Sequence, residues 1–495
     1  MTQRFPEMMS LGMDEPFRME GEVFDLEVME GKIPQEIDGL FAQTVPDQQF
    51  PPEVAHLSPM DASANGDCML RTFRFQDGHV DFKTRYVRTE RFQVERAARR
   101  SLFPHYRNPF FDDPSVAGKD RTTSNTAVHL HAGLLLACKE DGPAYAVDPH
   151  TLDTVGPWRA SGGIDSHTFT AHPKVDPKTG EMFAFGYAAK GECTRDIAYY
   201  VISKDGKVSH RAWFEAPVAA MIHDCAVTDH YMIFPIMPYT SDLERLKRGG
   251  VHFQFEPEMD QILGVMPRYG TPEQVRWFRA PPGFLGHTIN AFDHDGMICF
   301  DYVHGDGNAF GPVFPAKDGK FVPPGGVRMS LARWRIDYHA RDTRLTRDKH
   351  WSHLADGHFG EGPHIDERRA LSQHRFVWMP GLDRSRLATD PSGRPLPVLF
   401  NTLHRYDLHS GAEDEWFGGP MLTFQDPVFV PSSTPDEEGK GYLIAISNCV
   451  PERRSELVIL DAMALARGPI ARIRVPVGLR MGIHASWFDG TRLRA

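Results

Sequence analysis

The stretch MLRTFRFQDGHVDFKTRYV, residues 69–87, reads as two strands meeting at one tight turn. Its first half is rich in strand-forming residues, and its second alternates Val80, Phe82 and Tyr86 with Asp81, Lys83 and Arg85, the period of two that separates the faces of a strand. Between them stands Asp77-Gly78, a pair that tolerates the positive φ angles of a type I′ turn and so favours a two-residue hairpin. The same grammar continues outward through MFAFGYAA, IAYYVIS, YMIFPIM, MICFDYV, SLARWRID, HRFVWM, GYLIAIS and SELVILD. Asp-Gly recurs at 38, 77, 141, 205, 295, 306, 318, 356 and 489. From about residue 70 to the C-terminus the chain is expected to be a succession of hairpins.

No linker-like segment or composition shift divides this run, so one domain spanning 1–495 is expected, with about 1–25 peripheral. Short strands over so long a chain favour radial repetition, an all-β propeller, because closure leaves only short, protected edges; a large double sandwich is the alternative. Neither WD nor kelch repeats occur, so the blades are expected to diverge in sequence. Helical periodicity is confined to TERFQVERAARRSLF (89–103) and SDLERLKRG (241–249).

Composition narrows the classes of function. The 495 residues are 41% hydrophobic and 24% charged, an ordinary globular balance. The net charge of -11 has the wrong sign for phosphate-backbone attraction, so nucleic acid is not expected as a partner. Six cysteines occur with no CxxC pair, which fits a reducing cytoplasm. The first twenty residues have neither a basic nor an apolar segment of a leader, and the longest apolar runs, such as AGLLLAC at 132–138, are too short to span a bilayer. A soluble protein without a membrane partner is therefore expected. The sequence leaves oligomeric state open, a homodimer included.

HExxH, GxSxG, Walker and dinucleotide-binding motifs do not occur, and GDGNAFG at 305–311 has the wrong spacing for a phosphate loop. Histidine is abundant, with 24 residues. His167 (GGIDSHTFTAHPK), His223 (AAMIHDCAVTDHYMIF), His287 (PPGFLGHTINAFDHDG) and His484 (LRMGIHASWFDG) each accompany small residues next to an apolar strand. Their wide separation suits a site to which different blades each send one imidazole, although spacing alone proves nothing and any single histidine reads more readily as structural.

The segments IHDCAVTDHYMIF, HFQFEPEMDQILGVMPRYG, RWFRAPPGFLGHTINAFDHDG and GPIARIRVPVGLRMGIHASW closely resemble signatures of the carotenoid cleavage oxygenase family, a likeness that begins at GKIPQEIDGLF (31–41). The resemblance implies a seven-bladed β-propeller with a loop and helix dome over an axial metal site. It implies non-haem Fe(II) held by His167, His223, His287 and His484, and scission of a C=C bond by O2 to two carbonyl products. Imidazole suits iron, and four neutral ligands leave open positions. Ligating histidines need their other ring nitrogen held, commonly by a carboxylate. The positions matching the family's three glutamates are Glu140, Glu361 and Asp426, the last one methylene shorter, so that its contact is expected to run through water or to draw the strand inward.

SLFPHYRNPFFDDPSV (101–116) and HAGLLLACKEDGPAY (131–145) resemble the lignostilbene dioxygenase branch and carry its Tyr and Lys at Tyr106 and Lys139. In that branch the pair acts on the 4-hydroxyl of a phenolic stilbene. An ammonium and a hydroxyl can stabilise a phenolate, whose charge raises the electron density of the conjugated alkene. Phe284, Phe310 and Phe359 are candidate pocket walls, and equally natural core residues. At ASANGDCML (62–70) the branch's substrate-packing Phe is replaced by Ala64 and a following Gly by Cys68, which points to a reshaped pocket. Cleavage of 4-hydroxystilbenes to aromatic aldehydes is the leading expectation. Alkenylphenol cleavage of the isoeugenol type, apocarotenoid cleavage and a non-catalytic metal-binding propeller are the alternatives.

Overall fold

A computed structural model describes residues 5, 13, 15–55, 60, 61, 64–322, 326–433 and 437–494. Seven antiparallel sheets form the blades of a β-propeller, and a two-stranded ribbon, Tyr239–Ser241 with Phe253–Phe255, stands apart from them. Blade 1 orders its strands Gly21–Val23, His79–Tyr86, Cys68–Gln76, Gly39–Pro46 and Ala485–Asp489, so the C-terminal strand closes a blade begun by N-terminal ones. Its closing register sets Ala42 opposite Ser486. Blades 2 to 5 have four strands each and begin at Ala127–His131, Lys174–Val175, Ala226–Val227 and Phe284–His294. Blade 6 has three, Phe376–Gly381, Thr402–Asp407 and Glu413–Phe417. Blade 7 contains Leu422–Phe424, Val428–Pro431, Gly441–Cys449, Arg454–Asp461 and Pro469–Val475, with Val28–Gly31 on its outer edge.

The opening hairpin folds as its pattern predicts. Asp77 (φ 52°) and Gly78 (φ 80°) turn the chain, Phe73 pairs with Phe82, and the outer strand buries alternate residues. The inner strand Cys68–Gln76 is buried on both faces except towards its end, because blades stack on both sides of it. Asp295-Gly296 makes a second such turn (φ 51° and 73°). The other Asp-Gly pairs are less uniform: Asp38-Gly39 opens a strand, Gly357 ends one, and Asp489-Gly490 passes from the last strand into the helix Gly490–Leu493. Asp-Gly marks a change of direction here more widely than it marks a hairpin.

The first predicted helix is shorter than its periodicity suggests, Glu90–Ala98. Thr89 caps its start by accepting from the Phe92 N–H at 3.1 Å, and Arg99 ends it in the left-handed region (φ 54°). Beyond that point the Glu95 carboxylate accepts the N–H groups of Leu102 (2.7 Å) and Phe103 (3.1 Å), which folds the chain back across the helix. The second helix is Leu243–Lys247. Three long connections bind to one another: Asn108 donates to the Leu246 carbonyl (3.1 Å), His252 contacts the Arg107 carbonyl (2.8 Å), and the Tyr239 hydroxyl donates to Asn308 (2.7 Å). This interlocked set carries Tyr106 and Phe310.

Candidate active site

One residue from each blade turns toward the axis. His172, His223 and His287 come from the inner ends of blades 3, 4 and 5, and His484 immediately precedes the strand that closes blade 1. Glu140 follows the second strand of blade 2, Glu361 lies in the segment that bridges to Trp378 of blade 6, and Asp426 precedes Val428–Pro431 of blade 7. The ligand atoms of the four histidines all lie within 4.8 Å of one another. Their rings cross steeply, with interplanar angles of 72°, 77°, 78°, 73° and 75° for the five closest pairs.

This donor set fits a metal ion. His223 Nε2 stands 3.0 Å from His287 Nε2 and 3.3 Å from His172 Nε2. Ligands at right angles with metal–nitrogen bonds of about 2.1 Å are spaced by roughly 3.0 Å. His223 Nδ1 pairs with Glu140, His287 Nδ1 with Glu361 at 2.9 Å, and His484 Nδ1 with Asp426 at 3.3 Å. A proton on each Nδ1, held by its carboxylate, leaves the Nε2 lone pair facing the axis. Burial, reinforced by the neighbouring imidazoles, holds His172 and His287 well below the usual histidine range, in the neutral form that ligates. Among the described residues His172 alone of the four has no carboxylate partner. Its segment is held through the backbone instead: the Thr170 N–H donates to the Phe185 carbonyl (2.6 Å), and His129 Nε2 lies 2.8 Å from the Ala171 carbonyl.

His172 replaces His167 of the sequence expectation. The two share the segment HTFTAHPK, but His167 is exposed and lines a separate cleft of about 530 Å³ with Arg88, Arg121 and Arg159. Its N–H is tied to the Ala189 carbonyl at 3.1 Å, on the flank of blade 3. The distinguishing signal is distance to the inner strand. His172, His223 and His484 precede theirs by one to three residues and His287 lies within its own, whereas His167 stands seven residues short of Lys174.

The carboxylates differ in how they reach. Glu140 has one oxygen on His223 while the other accepts from the Tyr187 hydroxyl at 2.8 Å, itself bonded by Arg107 at 2.8 Å. The shorter Asp426 meets His484 directly, and its 3.3 Å contact is longer than the Glu361 contact with His287. It also accepts the Ala485 N–H at 2.9 Å and faces His364 Nε2 at 3.2 Å, so two histidines share it.

Lys139 precedes Glu140 and points the other way. Its Nζ is buried, 5.2 Å from the Tyr106 ring centre, and contacts Thr123 Oγ1 (2.7 Å), the Ala64 carbonyl (3.0 Å) and Asp141 (3.3 Å). Burial lowers the Lys139 pKa to about 8, against the pull of Asp141. Burial likewise pushes the Tyr106 hydroxyl far above its usual range. All three ammonium hydrogens have protein acceptors, so an incoming oxygen would displace one, the Asp141 contact being the longest. Thr123 was not singled out by sequence, because nothing local marks a threonine as a lysine's partner.

Aromatic contacts join these residues to the centre: Tyr106 to Phe314 (6.3 Å between ring centres), Phe314 to Phe310 (6.4 Å), and Phe310 edge-on to His223 (6.1 Å). Phe284 is fully buried behind Phe310 at 5.1 Å, and Phe359 is half-buried where its carbonyl accepts from Leu382. Ala64 is buried in the same apolar cluster as Tyr106 and offers Lys139 its backbone rather than its side chain.

The chain matches the RPE65 family, described as retinal pigment epithelial membrane protein, over residues 14–489. It is 43% identical to an isoeugenol monooxygenase of Pseudomonas putida, covering 95% of this chain and 96% of that one. It is 40% identical to lignostilbene-alpha,beta-dioxygenase isozyme III of Sphingomonas paucimobilis, covering 99% of each. The crystal structure of Pseudomonas brassicacearum lignostilbene dioxygenase superposes with a TM-score of 0.92 at 43% identity, covering 98% of this chain and 100% of that one. Likeness over nearly whole chains, around a shared propeller, shows that this protein belongs to the RPE65/carotenoid cleavage oxygenase family and is an O2-incorporating oxidoreductase.

Proposed function

We propose that the protein cleaves the Cα=Cβ bond of 4-hydroxystilbenes, with one oxygen atom of O2 entering each of two aromatic aldehydes. His172, His223, His287 and His484 hold Fe(II), oriented by Glu140, Glu361 and Asp426. Bound iron supplies the dioxygen chemistry. The observation that carries the substrate class is the row of aromatic contacts running from the Lys139–Tyr106 pair to His223, an apolar aromatic wall with a buried cation at its far end.

The protein's own part follows from charge. Lys139 as an ammonium stabilises the 4-oxygen as a phenolate in a site that excludes water, where such an interaction is strongest. The Tyr106 ring packs against Lys139 at the same end, and its hydroxyl faces Arg107. Phe310 and Phe314 orient the ring so that density from the phenolate reaches the alkene beside the histidines. A shorter alkenylphenol is the second reading, supported by the relative named isoeugenol monooxygenase and by the small Ala64 where the stilbene branch carries Phe.

Oxygen uptake and aldehyde release by iron-loaded protein, with 4-hydroxystilbene, its 4-methoxy ether and isoeugenol, test both readings. Cleavage of the phenol with little cleavage of the ether is expected, because the ether cannot ionise. Equal rates on phenol and ether would overturn the phenolate role, and turnover of isoeugenol alone would favour the second reading.

A further inference from the structure

A second histidine cluster lies on blade 6, built by residues that take no part in the axial centre. His404, fully buried on Thr402–Asp407, places Nδ1 2.6 Å from Glu413 Oε1 on the neighbouring strand. His358, from the segment leading to Phe359 and Glu361, brings its Nε2 within 3.4 Å of the same oxygen. The two imidazoles are stacked, 18° apart with centres at 4.4 Å, so the half-exposed His358 has to turn about its side-chain bonds for both lone pairs to meet one ion; the three ligand atoms already fall within 4.8 Å of one another. His404 Nε2 meets Thr402 Oγ1 at 2.7 Å. If that nitrogen donates to the hydroxyl, the Nδ1 lone pair faces a carboxylate oxygen, an arrangement that only a proton or a metal ion makes favourable. Glu415 stands 3.8 Å from the same Nδ1 and is paired with Arg386, which also holds Asp383. Asp383 and Glu415 therefore share one guanidinium while the Glu413 carboxylate faces the two imidazoles, a field that favours a further cation.

We propose that His358, His404 and Glu413 form a second metal site, distinct from the axial centre, for a divalent transition ion of the zinc class. Two imidazoles and one carboxylate suit zinc better than an alkaline-earth ion, whose sites are built from oxygen. Thr402 fixes the His404 ring, and the half-exposed His358 and Glu413 leave the remaining positions to solvent. A bound ion ties the outer strand of blade 6, the blade with the fewest strands, to the segment that delivers Glu361 to His287.

The test is equilibrium dialysis of iron-loaded protein against Zn2+, with iron and zinc counted in the same samples. About one zinc per chain is expected without loss of iron. Affinity for it should fall about 10-fold or more in His358→Ala and in Glu413→Gln, both on the accessible side of the site and so tolerable to the fold. Zinc uptake only at the expense of iron, or uptake unchanged in both variants, would overturn the proposal.

Discussion

The axial centre draws one residue from each of seven blades, from Glu140 to His484, whereas Ala64, Tyr106, Thr123, Lys139 and Asp141 all come from the first hundred and fifty residues and one side of the molecule. The two regions answer to different constraints. Closure of the ring, through strands such as Gly39–Pro46 paired with Ala485–Asp489, sets where the four imidazoles meet, so no single loop can move the centre. The proposed phenol-binding region rests on the connection that follows one short helix and on the end of one hairpin. Local changes such as Ala64 can reshape it while the oxygen chemistry stays in place. Lys139 and Glu140, adjacent in sequence, serve the two regions from opposite faces of the chain.

The largest effect that separates them concerns the axial ligand. His172→Ala is expected to remove bound iron and abolish turnover, because three ligands leave the ion exchangeable and misoriented. His167→Ala should retain both. Iron analysis and oxygen uptake on the two variants decide the matter, and loss of iron from His167→Ala would contradict the axial geometry described here.

Changes in the pocket should be smaller and leave iron untouched. Lys139→Met is expected to lower kcat/KM for a 4-hydroxystilbene by about 10- to 150-fold, the equivalent of a charged hydrogen bond worth about 1.5 to 3 kcal/mol. The lowered pKa of Lys139 adds a pH signature. Activity that needs the ammonium should fall as pH rises through about 8, and that limb should vanish in the variant. The stability effect has the opposite sign. The folded pKa lies below the usual 10.5, so the unfolded chain binds the proton more tightly between about 8 and 10.5 and stability from this group rises with pH over that window. A kcat/KM profile flat from pH 7 to 9 in the unmodified enzyme would remove Lys139 from the chemistry.

The smallest effect is expected at Asp426. Restoring the longer side chain in Asp426→Glu should leave iron content within about twofold and alter the rate of iron loss by less than tenfold, since one histidine contact is adjusted and none is removed. Dissociation into a chelator measures it. Complete loss of iron would mean that sharing the carboxylate with His364 matters more than its reach to His484.

Three of the four axial histidines, and all three carboxylates that meet them, stood out in the sequence because they sit in segments matching the family's signatures. His172 did not. HTFTAHPK offers two histidines with comparable neighbours, and the choice between them depends on where the inner strand of blade 3 begins at Lys174, a boundary that local pattern leaves loose. Thr123 and His364 were invisible for a related reason: each acquires its role only through a partner, Lys139 and Asp426, far along the chain. The helix after Thr89 was legible at its start, where the cap is local. Its end was not, because Glu95 turns the chain back by binding Leu102 and Phe103 beyond the helix.

Alternation of apolar residues and the recurrence of Asp-Gly determine, without any structure, that this chain makes hairpins, since side-chain period and turn conformation are properties of a few consecutive residues. The family motifs add seven blades and oxygen chemistry. Which imidazole of HTFTAHPK reaches the axis, that Asp426 serves two histidines, and that His358 meets His404 beside Glu413 were decided by tertiary structure alone. Those facts depend on how closing the ring brings separate blades within a few ångströms of one another, and no window of sequence contains that distance.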